Sequence, residues 1–65
     1  MEMTMSYGIK NKATGELFVG FDRDGAAIWT VDLGKAWLRD RLTATGQAAL
    51  LLVNGIPAQR KAVAL

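Results

Sequence analysis

The 65-residue chain contains neither histidine nor cysteine. The side chains that most readily shuttle protons or attack carbonyls near neutral pH are therefore missing. What remains for acid–base or nucleophilic work is a few carboxylates, the lysines, Tyr7, the single Ser6 and scattered threonines. Asp22 and Asp24 stand two residues apart, as metal ligands do. The stretch Asp22-Arg-Asp-Gly25 lacks the further oxygen donors and closing glutamate of a calcium loop, so the pair reads as solvated turn carboxylates. Residues 11–16 hold one glycine and no phosphate-loop pattern, and read as a turn as well. Without His or Cys no disulfide and no classical zinc site can be assembled. No residue is assigned to catalysis, to a metal or to a cofactor, and the expectation is a protein that is not an enzyme.

Basic residues interleaved with aromatics are the second chemistry to weigh. Lys10 and Lys12 lie near Tyr7, Lys35, Arg39 and Arg41 flank Trp37, and Arg60-Lys61 stands near the C-terminus. Were these to converge, phosphate contacts with base stacking on Trp37 or Tyr7 would follow. Against that, Asp40 interrupts the central cluster, and eight Lys and Arg offset by six Asp and Glu leave a net charge of only +2. A mixed, solvated surface is the plainer reading, with Trp29 and Trp37 as core or interface anchors.

These side chains have to be held by a small domain. A chain this short is one domain, residues 1–65, with 1–5 expected to be disordered or to start the first strand. Its core barely offsets the entropy of ordering. With 51% hydrophobic residues and no covalent staple, association with a second copy is the device left to it, so a homodimer is expected. The N-terminus carries an acid where a signal peptide needs basic residues, and no stretch reaches the ~20 apolar residues of a membrane span. The expectation is a cytoplasmic protein without membrane contact.

The positioning elements follow from pattern. Residues 6–10 and 17–21 flank the 11–16 turn as a β-hairpin. In the second strand, alternation puts Leu17, Val19 and Phe21 on one face and Phe18 with Gly20 on the other. A turn at 22–25, with Gly25 at the positive-φ position, leads to a third strand over 26–31. Asp32 caps a turn of helix through Leu33, Lys35 and Ala36. Segment 37–42 is open between helix, with Leu38 and Leu42 on one face, and an extended linker or edge strand. Residues 48–53 form the one continuous apolar run, which should be buried. A strand is an alternative there, but its alanines and leucines favour a helix over 45–53, capped by Thr43 or Thr45 and stopped at Asn54-Gly55 before Pro57. Ala49, Leu52 and Val53, with Leu42, are expected to rest on a sheet bearing Leu17, Val19, Ile28 or Trp29, leaving Leu50 and Leu51 for a second copy. A C-terminal strand after Pro57 closes the sheet. The fold class is α+β: a small antiparallel meander of about three strands plus a C-terminal strand, packed on one apolar helix and a short helical turn.

Tyr7-Gly-Ile-Lys-Asn-Lys-Ala-Thr-Gly-Glu16, Gly20-Phe-Asp-Arg-Asp-Gly25 and Trp29-Thr-Val-Asp-Leu-Gly-Lys-Ala36 together resemble a pattern in short uncharacterised bacterial and phage proteins. Those open with a Y-x-I-K-N-K-x-T-G hairpin, pass through W-x-x-D-L-x-x-A and end in an Ala/Leu-rich helix. The likeness spans most of the chain but rests on turns, a Trp and a cap, and brings no site with it. It implies that 37–42 is a crossing segment.

Two function classes result. The first is a non-enzymatic interaction protein, in its concrete form a phage-type accessory protein that binds and blocks a host or defence protein. The alternative is a small nucleic-acid-binding or regulatory module using Lys and Arg around Trp37 and the hairpin. The candidate partner-binding residues are Trp37, Arg39, Arg41, Leu50 and Leu51, with an unidentified protein as partner and nucleic acid less favoured.

Overall fold

The computed structural model describes residues 5–64. Strands β1 (Met5–Asn11), β2 (Leu17–Phe21) and β3 (Ala27–Thr30) are followed by a 3₁₀ turn (Leu33–Lys35), helix α1 (Arg41–Val53) and strand β4 (Ala58–Ala64). The four strands form one antiparallel sheet in the order β3-β2-β1-β4. The α+β reading holds, including the final strand, which lies against β1 in continuous register from Met5↔Ala64 to Asn11↔Ala58. Met5 opens β1. The rest of the expected N-terminal tail, residues 1–4, lies outside the described residues.

Side-chain-to-backbone hydrogen bonds make the two hairpin turns. Asn11 Oδ1 accepts from the Ala13 N–H at 2.9 Å. The Asp22 carboxylate accepts from the N–H groups of Asp24 (2.8 Å) and Ala26 (2.9 Å). Gly25 follows with φ 85°, a conformation any Cβ would strain. Between Phe18 and Gly20 the pairing of β2 with β3 shifts, as at a β-bulge. The strict alternation expected for β2 is therefore broken. Phe21 turns to the side of Phe18 and meets its ring edge-on at 5.3 Å, where simple alternation had separated them.

Segment 37–39 is extended, the second of its two expected readings. β1 meets β2 at Lys10 and Leu17, and towards its N-terminal half another partner takes its edge. Tyr7 and Arg39 exchange both backbone hydrogen bonds, at 2.8 and 2.9 Å, while the Trp37 N–H donates to the Phe18 carbonyl at 2.8 Å. This short plug satisfies backbone groups that diverging strands would otherwise leave unpaired, which is why 37–39 is not helical despite the spacing of Leu38 and Leu42. Behind it, Gly8 leaves room for Leu38: a Cβ there would stand 3.2 Å from Leu38 Cδ2.

α1 begins four residues earlier than expected. Its cap is Asp40, not Thr43 or Thr45. The Asp40 carboxylate accepts from the Thr43 N–H at 3.2 Å and from the Thr43 hydroxyl. Gly46 thus falls in mid-helix rather than at the start. At the other end, Gly55 at φ 84° lets its own N–H reach the Leu52 carbonyl and the Ile56 N–H reach that of Leu51, the paired-bond glycine stop.

Only one side of α1 is buried. Ala44, Ala48 and Leu51, at i, i+4 and i+7, face the sheet. There Ala48 and Leu51 join Ile9, Phe18 and Ala58, with Ala27, Trp29, Trp37 and Ile56 packed around them. Trp29 and Trp37 both meet Phe18 edge-to-face, at 5.6 and 5.8 Å. The expected contact of Ala49, Leu52, Val53 and Leu42 with the sheet does not form; all four are exposed. The apolar run is buried only along the stripe that includes Ala48 and Leu51.

Candidate interaction surface

Tyr7 is the hinge of the Arg–aromatic constellation. On one side its backbone pairs with Arg39, and the diagonal neighbour across β4 is Arg60, since Ile9 and not Tyr7 stands opposite it. The Arg39 guanidinium lies over the Trp37 ring at 5.1 Å, with Nη1 donating to the Leu38 carbonyl at 2.8 Å. The Arg60 guanidinium lies over Tyr7 at 5.4 Å and donates to the Thr45 hydroxyl at 2.8 Å, tying β4 to α1. Each aromatic thus has a face covered by the chain's own arginine, a cation–π contact that a stacking base would have to displace.

The basic residues divide between the two sides of the sheet. Alternation along the paired strands puts Arg60 and Arg39 on the side of Ile9 and α1, and Lys10 and Lys61 on the other. Arg41 is the exposed first residue of α1. The structure brings Trp37 and Arg39 together, but it assembles no single basic stripe from the residues that the sequence singled out.

Among the titratable groups, Asp40 is held below the usual carboxylate range, first by the Thr43 hydroxyl and then by the Thr43 N–H. Hydrogen bonds to the charged form are the cause. Its partners are those of a helix cap, so the carboxylate is engaged in structure rather than aimed at a ligand. Among the described residues no group of three or more acidic side chains is placed to hold a metal ion, and no described helix is long and apolar enough to cross a membrane.

The apolar candidates separate cleanly. Leu50 is 58% exposed, whereas Leu51 is 1% exposed and belongs to the core, so Leu51 cannot contact a partner. Sequence reasoning missed the two most exposed large apolar side chains of α1, Leu42 at 83% and Val53 at 84%, together with Leu52. Positions 42, 46, 49 and 53 fall opposite the buried stripe of Ala44, Ala48 and Leu51 at ~100° per residue. From Leu42 to Val53 the helix carries no charged residue. Its outer side is therefore apolar and neutral where a solvated helix usually carries charge. Phe21 and Ile28 are exposed as well, but they stand at adjacent register positions on opposite sides of the sheet and form no common surface.

No family model, curated protein or solved structure matches this chain.

Proposed function

We propose that this chain is a non-enzymatic interaction module that works by docking the outer side of α1 against a protein surface. The observation that carries the reading is the neutral apolar patch of Leu42, Leu50, Leu52 and Val53 on a helix whose opposite side already completes the core. Exposed large apolar side chains gathered on the outer side of a helix in a small domain mark a contact site. The resemblance to short phage and bacterial proteins supplies the concrete version, an accessory protein that occupies a surface of a host or defence factor in the cytoplasm. The nucleic-acid alternative has less support, because the arginines nearest the aromatics are spent on their rings and Lys10 and Lys61 lie across the sheet.

The test is a doubly charged face, Leu42→Lys with Val53→Lys. Both side chains are more than four-fifths exposed, so each change should alter fold stability by no more than about 0.5 kcal/mol. Purified wild type and variant are compared by sedimentation, and tagged versions by recovery of stoichiometric protein from the native host. Association of some kind, with itself or another protein, is expected for the wild type and should be lost in the variant. Identical behaviour of the two in both measurements sinks the reading.

A further inference from the structure

We infer that the protein docked on α1 is a second copy of this chain, its helix antiparallel to the first. The inference rests on the reading above and names the occupant of that surface. Leu42, Gly46, Ala49 and Val53 stand four, three and four residues apart, the alternation of a helix-pair seam. In an antiparallel pair related by a two-fold axis midway between Gly46 and Ala49, Leu42 of each copy meets Val53 of the other, and Gly46 meets Ala49. The seam is complementary to itself: large side chains close both ends, and small ones at the waist let the axes approach towards the lower end of the usual ~8–10 Å. On the flanks Leu50 comes beside Thr43 of the other copy, and Leu52 beside Thr45.

Charge and area both favour this occupant. With no charged residue from Leu42 to Val53, the seam itself holds nothing that repels its own copy, and the one cation at its edge, Arg60, is engaged on the Thr45 hydroxyl of its own chain. Antiparallel alignment also sets the positive end of each helix dipole beside the negative end of the other. A fully exposed Leu or Val side chain presents on the order of 120 Å². At the observed exposures the four large residues then supply roughly 330 Å² per copy. With Thr43, Thr45, Gly46 and Ala49 included, a closed pair hides about 1,000 Å², the lower bound for a specific interface. The dimer is therefore expected to be modest, with a Kd of about micromolar order.

The absence of cysteine makes a direct test available, because an introduced thiol is the only one in the chain. Leu42→Cys and Val53→Cys are prepared singly and oxidised alone or mixed. The antiparallel seam predicts rapid cross-linking of the mixture and slow cross-linking of either variant alone, whereas a parallel pair would cross-link each variant to itself. Sedimentation equilibrium of the wild type up to about 1 mM should show a monomer–dimer equilibrium that Val53→Lys weakens by about tenfold or more. A wild type that stays monomeric throughout, or a mixture that cross-links no faster than its components, overturns the inference. If that monomer still captures a different protein, and Leu42→Lys with Val53→Lys abolishes the capture, the dimer is wrong while the docking reading survives. If there is no capture either, both fall.

Discussion

The Asp40 side chain stands where two elements meet. It ends the extended plug paired with Tyr7 and begins α1, and its carboxylate takes both the N–H and the hydroxyl of Thr43. Because these bonds favour the charged form, its pKa in the folded chain lies below the ordinary 3.8. The sign of the linkage follows. The carboxylate contributes its stabilisation fully above 3.8, where it is ionised in both states, and loses it as the pH falls through the lower folded-state value. Asp40→Asn keeps a capping oxygen but cannot titrate. Urea midpoints measured across this acidic window should therefore fall more steeply for the wild type than for Asp40→Asn, the other carboxylates being common to both. Parallel curves would mean that the Thr43 bonds do not persist in solution.

At the scale of the helix, the decisive contrast is between neighbours. Leu51 is inside the core beside Ile9 and Phe18, while Leu50, one residue away, is more than half exposed. Leu51→Ala should destabilise the fold by about 2–5 kcal/mol through lost contacts and the cavity left behind, a change large enough to unfold so small a domain. Leu50→Ala should change the dilute, monomeric chain by less than about 1 kcal/mol, since it removes surface that water already reaches. Chemical denaturation of both variants at low concentration checks the assignment, and equal losses would put the helix in a different rotation about its axis. This contrast also shows what could be read from the chain. The strands, both hairpin turns, the Asp32 cap and the Gly55 stop were legible because each depends on local chemistry: Asn and Asp side chains folding back on the backbone, and Gly taking positive φ. The phase of α1 was not. An apolar run without a polar side gives periodicity nothing to register, and Thr43 and Thr45 offer cap chemistry closer to the run than Asp40 does. Arg39 and Trp37 were singled out as partner contacts from type alone, and their mutual stacking depends on a pairing with Tyr7 that only the assembled sheet specifies.

For the whole molecule, the order β3-β2-β1-β4 makes β1 the strand on which everything else depends. It is paired along its full described length with β4, meets β2 at one end and the 37–39 plug at the other, and receives α1 over Ile9. β3 has only β2 as a neighbour in the sheet, through a register shift, and reaches the core through Ala27 and Trp29. Local opening should therefore be graded, because segments with few buried apolar contacts separate from the rest at lower free energy. Native-state hydrogen exchange is the measurement. The amides of β1 and β4 that bond to each other, and those of α1 around Ala48 and Leu51, should exchange only by global unfolding and share the full denaturant dependence. The β2–β3 ladder should open more readily and with a smaller dependence. Trp29→Ala, which removes the edge-to-face contact with Phe18, should widen the gap by weakening β3 first. A single protection value shared by β3 and β1 in the wild type would show instead that the sheet opens as one unit, with the bulge between Phe18 and Gly20 transmitting its cooperativity rather than interrupting it.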